Sequence, residues 1–120
     1  MADHIEIGRE GEELAVQYLI DKKWEILERN WRSGHREIDI IAKSGEELII
    51  VEVKVRKFIG GERLEEHITG VKQKYLIRAA SSYLAWKKLD LGVRFDIILL
   101  TGERGRYRIE HIENAFSPWD

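Results

Sequence analysis

Two carboxylates and a lysine fall in strand-like segments where hydrocarbon is expected. Residues 37–56 read EIDIIAKSGEELIIVEVKVR, two short apolar runs on either side of a Gly-containing turn. Asp39 interrupts the first run, and Glu52 and Lys54 interrupt the second, one residue apart. Side chains alternate across a strand. Ile49, Val51, Val53 and Val55 therefore share one face, and Leu48, Ile50, Glu52, Lys54 and Arg56 the other. In the first run Glu37, Asp39 and Ile41 are expected opposite Ile38, Ile40 and Ala42. If the faces coincide, the hairpin brings Asp39 and Glu52 within reach of each other. Like charges held close repel, so one carboxyl is protonated or a cation sits between them. For oxygen donors that cation is a hard one, Mg²⁺ or Mn²⁺. Two carboxylates that hold such an ion against a phosphate, with a lysine alongside, point to phosphodiester chemistry. The pattern is loose, and a cross-strand ion pair on a solvated face would use the same residues. The apolar flanks argue against a wet strand.

Each helix that would flank this hairpin carries a charge on its apolar side. The first is expected over Ile5–Lys22. At about 100° per residue, Gly8, Gly11, Ala15, Val16, Leu19 and Ile20 lie on one side, with Leu14 and Tyr18 at the margin. Glu12 falls inside that arc, where a carboxylate is unfavourable unless it is paired or bound to something. An acid near a helix N-terminus is the alternative reading. Gly8 and Gly11 lower helix propensity and suggest a close backbone approach. The second helix is expected over Val71–Lys88, with Leu76, Ala79, Ala80, Tyr83 and Trp86 buried. Lys72 and Gln73 project from its first turn within the same arc. Lys72 reaches either a phosphate or the acidic cluster, or it snorkels from the helix end.

The remaining elements are strands. Trp24–Trp31 precedes the hairpin strands Glu37–Ala42 and Glu47–Arg56, which turn around Lys43, Ser44, Gly45 and Glu46. The connection over residues 57–70 is long for a compact domain and pliable at Gly60-Gly61. Val93–Leu100 is almost continuously apolar, as in a strand buried on both faces. After a turn at 101–105, Tyr107–Ile112 reads as a peripheral strand. The order helix, three strands, helix, two strands predicts an α/β fold with a mixed central sheet and a helix packed on each side. The 120 residues suit a single domain over 1–120.

Composition narrows the function classes. The 43% hydrophobic content supports a core, and 35% charged residues support a soluble surface. There is no cysteine, which excludes disulfides, thiolate metal sites and cysteine nucleophiles and fits a cytoplasmic setting. No apolar run is long enough to span a bilayer, and the N-terminus lacks the basic start and apolar block of a secretory signal. The formal net charge is −2, so a polyanion can be bound only if the cations gather on one face. Clusters exist at Lys54, Arg56 and Lys57, at Lys72 and Lys74, and at Arg104, Arg106 and Arg108; ordinary solvated positions would read the same way. The four histidines form no zinc-ligand spacing, although His35 lies just ahead of Glu37. No phosphate-cradling P-loop follows Gly60-Gly61. The four tryptophans read as packing residues, with base stacking the lesser option.

Asp39 followed by Glu52-Val53-Lys54 resembles the PD-(D/E)xK nuclease motif, and the element order is that superfamily's core. The blocks GREGEELAVQYL, ERNWR, REIDIIA, VEVKVR, VKQKYLIRAASSYL, VRFDIILL and HIENAF, in this order, resemble the YraN-like family of small bacterial proteins similar to Holliday junction resolvases. The resemblance covers nearly the whole chain. It implies a restriction-endonuclease-like core and a metal-dependent nuclease acting on structured or branched DNA, or a non-catalytic nucleic-acid-binding module on the same fold. It further implies that Asp39, Glu52, the Val53 carbonyl and Glu12 surround Mg²⁺ or Mn²⁺ and that Lys54 orients the attacking water. Lys72 and Gln73 match the Lys/Gln pair at the start of the second helix. With Arg56 and Lys57 they are expected to contact nucleic acid, and similar resolvases act as homodimers. Ile38 stands where the motif's name has proline, and Glu37 is an additional acid beside Asp39.

Overall fold

The computed structural model describes residues 4–56, 68–103 and 105–118, with the side chains of 4–7 excepted. The elements follow in the expected order: α1 (His4–Asp21), β1 (Glu25–Ser33), β2 (Arg36–Ser44), β3 (Glu47–Arg56), α2 (Gly70–Lys87), β4 (Gly92–Glu103) and β5 (Arg106–Phe116). The strands form one mixed sheet in the order β1-β2-β3-β4-β5, parallel at β3–β4 and antiparallel elsewhere. The β2–β3 hairpin closes through Gly45 at φ 59°, a left-handed position that suits glycine. Among the described residues no helix is long and apolar enough to cross a membrane.

Two hydrophobic layers sandwich the sheet. On one face Ala15, Val16 and Leu19 of α1 pack against Ile40, Ala42, Ile49, Val51, Ile98 and Leu100. On the other Leu76, Ala79, Ala80 and Tyr83 of α2 meet Ile38, Ile41, Leu48, Ile50, Phe95 and Ile97. The apolar run of β4 is buried on both sides, as its composition requires. Two residues expected inside are not: Ile20 is 45% and Trp86 61% exposed. Trp86 lies instead against Trp31 and Tyr83 in a surface aromatic group.

Gly11 sets how closely α1 approaches. A Cβ there would collide with Val55 and crowd Leu100, so the helix lies on β3 and β4 at that point because it has no side chain. Gly8 has open space around its Cβ position; it lines a cleft rather than a contact. α2 is fixed by ordinary caps. Thr69 accepts a hydrogen bond from the Lys72 N–H at its start, and Lys88 ends it in a left-handed conformation.

The far end of the sheet is held by a buried polar network. Asp96 is 1% exposed and accepts from both Nε and an Nη of Arg94 at 2.9 Å, from the Asn114 N–H at 2.9 Å, and from His111 Nε2 at 2.7 Å. His111 Nδ1 lies 3.1 Å from the Tyr18 hydroxyl and 3.4 Å from Lys22 Nζ. An ammonium can only donate and a carboxylate can only accept, so these partners suit the Nε2–H tautomer. The network spans the irregularity in the β4–β5 register between Phe95 and Ile97 and ties it to the end of α1. Burial works against the Asp96 charge, but His111, Arg94 and the Asn114 N–H outweigh it and hold the carboxyl below the ordinary range.

Gly11→Ala is expected to lower the urea midpoint, because the clash (about 1–3 kcal/mol) exceeds the helix-propensity gain of about 1 kcal/mol. An unchanged or raised midpoint would show that the helix does not need the close approach. Asp96→Asn is expected to destabilise by about 3 kcal/mol at pH 7. Since the folded pKa of Asp96 is depressed, its contribution is present above the unfolded pKa and is lost as pH falls through the folded one. The difference from wild type should therefore shrink in acid; equal unfolding curves at pH 7 would refute the account.

Candidate functional site

Strict alternation predicts one face for Glu37, Asp39 and Ile41. The structure corrects this. Ile38 and Ile41 face α2, whereas Ile40 and Ala42 face α1, so the alternation breaks at Asp39. The cause is opposite it in β1. Asn30 has φ 51°, a left-handed conformation that Asn tolerates better than most residues. The β1–β2 register passes from Arg29–Ile40 to Trp31–Ile38 around this kink. Consecutive residues Arg29 and Asn30 thereby both reach acids of α1.

A second event follows at the same level. The β2–β3 ladder runs from Ser44–Glu47 to Ile40–Val51 and stops there, while β3 stays paired with β4 as far as Arg56–Thr101. Past Val51 the inner edge of β3 has lost its strand partner. Asp39 substitutes for it: its Oδ2 accepts the Val53 N–H at 2.8 Å. The strands part around a cleft of about 710 Å³. Its lining includes Asp39, Val53 and Glu12, and the cations Arg9, Arg32, Lys54 and Arg56.

Glu52 is 2% exposed. Its Oε2 meets Lys72 Nζ at 2.8 Å, and its Oε1 is buried without a hydrogen-bond partner among the described residues. A buried carboxylate oxygen with nothing to bind is unfavourable. The charges interact as their closeness dictates. Burial, and then the Glu52 charge, push the Asp39 carboxyl up to about 7, against the pull of the Val53 N–H and Lys72. Burial, and then the Lys72 ammonium, lower Lys54 from the ordinary lysine value. Burial opposes the charge of Lys72 too, but its bond to Glu52 and the charges of Glu52 and Asp39 raise it overall. Two carboxylates and two lysines thus act on one another across the α2 side of the cleft.

The other expected site residues divide. Arg56 lines the cleft and donates to the Val55 carbonyl at 3.1 Å. Glu12 also lines it, but its Oε1 is taken by Asn30 Nδ2 at 2.7 Å and Arg29 Nε at 3.4 Å. Among the described residues no three His, Cys, Asp or Glu side chains converge as a metal-ligand group. Gln73 turns back to the helix start, donating from Nε2 to the Ile68 carbonyl at 3.2 Å, and it does not line the cleft. Lys57, the Gly60-Gly61 connection and Arg104 lie outside the described residues. Asn30, Arg9 and Arg32 belong to the cleft and were not singled out by sequence reasoning. For Asn30 a signal exists: Asn in the middle of a strand, in ERNWR, is disfavoured there and suited to a left-handed kink.

A mixed α/β sandwich with a split central hairpin and an acid–lysine cluster in the split defines the kind of protein this is. The sequence pattern of the uncharacterised protein family UPF0102 matches residues 11–100, and the chain belongs to that family. A UPF0102 protein of Phocaeicola vulgatus is 48% identical over 118 residues, covering 98% of each chain. One from Bacteroides thetaiotaomicron is 47% identical with the same coverage. One from Porphyromonas gingivalis is 42% identical over 97% of this chain and 87% of the relative. The YraN-like resemblance read from the sequence blocks is thereby borne out.

Asp39→Asn keeps an acceptor for the Val53 N–H and removes the repulsion from Glu52. An acid whose folded pKa is raised loses stability as pH climbs from the ordinary carboxylate range to about 7. In EDTA the variant is expected to be more stable than wild type at pH 8, by on the order of 1 kcal/mol, with little difference near pH 4. Thermal melts at the two pH values check this; a variant less stable at pH 8 would contradict the repulsion.

Proposed function

We propose that the chain is a metal-dependent nuclease that hydrolyses phosphodiester bonds in structured or branched DNA, on a restriction-endonuclease-like core. The observation that carries this reading is Glu52: a buried carboxylate with one oxygen unpartnered among the described residues, beside a second carboxylate whose pKa is raised to about 7 partly by that proximity. A fold keeps such a pair at a disadvantage to its own stability, and a hard divalent cation relieves both costs. The donor set fits Mg²⁺ or Mn²⁺, with Asp39 and Glu52 as carboxylate ligands and the Val53 carbonyl as a third oxygen. Glu12 would join through Oε2, its Oε1 being held by Asn30 and Arg29. When bound, the ion would polarise the scissile phosphate and make a water acidic enough to attack it.

The chain's own residues supply the rest. Lys54 extends from the same strand as Glu52, with its proton held less tightly than in an ordinary lysine. It would orient the attacking water and offset charge building on the phosphate oxygens. Lys72 neutralises Glu52 and is the cation that must yield or shift when the carboxylate is otherwise engaged. Arg9, Arg32 and Arg56 line the cleft and would hold neighbouring phosphates, giving affinity without sequence readout. Strand cutting on both sides of a junction would require two such sites, hence a homodimer.

A second reading is favoured by a specific observation: Lys72 already neutralises Glu52, and no three-ligand group is assembled among the described residues. On that reading the fold binds nucleic acid without cutting it. Incubation with four-way junction, flap and linear DNA in Mg²⁺ or Mn²⁺ separates the two. The nuclease is expected to cleave at least one branched substrate, and Glu52→Gln to reduce the rate by about 100-fold or more. Cleavage of none of them at low salt would defeat the nuclease reading. A binding module would show no cleavage, and Glu52→Ala would leave its affinity unchanged or improved.

A further inference from the structure

A second recess opens on the α2 side of Asp39. It lies between the start of β2 and the first turns of α2, and its volume is about 480 Å³, within the range of small-ligand sites, about 300–1,000 Å³. Val71, Tyr75, Leu76 and Ala79 of α2 give it a largely hydrocarbon wall. Val71, 62% exposed, forms the outer rim of this wall. The Arg36 guanidinium lies over the Tyr75 ring, and Lys72 contributes a second cation. Asp39 borders this groove and the cation-rich cleft alike. The two recesses therefore meet at Asp39, next to the buried Glu52.

We propose that this groove receives the base of an unpaired nucleotide adjacent to the phosphate presented to Asp39 and Glu52, so that the site selects DNA with an unpaired base over continuous duplex. The inference rests on the nuclease reading of that site. A base offers a flat π-surface that stacks on Tyr75 or on the guanidinium above it, whatever its sequence. The phosphate attached to it needs cations, and Arg36 and Lys72 flank the apolar wall. A base paired in a duplex must first leave its stack to enter, which disfavours continuous duplex.

The test uses the full chain in EDTA, so that no cleavage interferes. 2-Aminopurine is placed in a three-nucleotide gap of a duplex or, as control, in a continuous duplex, and anisotropy of a terminal dye reports binding separately. The fluorescence of the gap probe is expected to change on saturation, and that of the paired probe to stay constant. Val71→Glu, on an exposed position, should keep the wild-type melting temperature and weaken gap binding by about tenfold or more; Tyr75→Ala should weaken it similarly. Absence of binding, a constant gap signal at saturation, equal responses from both probes, or wild-type affinity in Val71→Glu would each overturn the proposal. Cleavage in Mn²⁺ is measured independently. Cleavage of DNA without a fluorescence response sinks the groove alone, whereas the response without cleavage sinks the nuclease reading and leaves the groove as a base-binding site.

Discussion

Where β2 leaves β3, the Val53 N–H loses its strand partner, and the carboxylate of Asp39 takes that partner's place. This one hydrogen bond does two jobs. It satisfies a backbone donor at the point where the sheet splits, and it fixes an acid in the plane of the sheet rather than on either face. The next residue back along β3, Glu52, is buried against α2. The split thus brings two carboxylates under mutual repulsion, and the two lysines on the α2 side follow from the need to offset them. Cleft, charge and strand divergence have a single origin.

The rest of the fold maintains the split. Gly11 lets α1 lie against Val55 and Leu100, which places Glu12 at the cleft and its carboxylate on the kinked part of β1. The left-handed Asn30 lets two consecutive side chains of β1 reach that helix. From the other face, Thr69 starts α2 so that Lys72, in its first turn, meets Glu52. The Asp96 network anchors the C-terminal end of α1 to β4 and β5, with His111, Tyr18 and Lys22 in a continuous chain of contacts. α1 is therefore tied at its middle and at its C-terminal end, with the cleft beside the middle tie.

Much of this was legible in the sequence because burial patterns are local. The β4 run FDIILL, the alternation of β3 and the apolar stripes of both helices each specify an element by themselves, and Glu12, Asp39, Glu52 and Lys72 stood out as charges where hydrocarbon belongs. The misreadings share a different cause: they depend on one backbone angle or on a distant partner. The alternation of β2 fails at Asp39 because of a left-handed residue in another strand. Glu12 is explained by Arg29 and Asn30, whose positions only the β1 kink brings together. Trp86 satisfies helical periodicity, yet it lies beyond the edge of the sheet and packs on Trp31 at the surface. Asp96 and His111 looked unrelated in sequence, and the antiparallel β4–β5 register is what joins them. Gln73, beside Lys72 in sequence, points a third of a turn away and serves the helix start.

The central claim is that the Asp39–Glu52 pair is maintained for a hard cation and not merely balanced by Lys72. Anomalous diffraction at the manganese edge from crystals soaked in Mn²⁺ tests it most directly. The account predicts a peak between the carboxylates of Asp39 and Glu52, with the Lys72 ammonium moved off Glu52. Well-ordered crystals at saturating Mn²⁺ that show no peak there, and Lys72 still paired with Glu52, would contradict it.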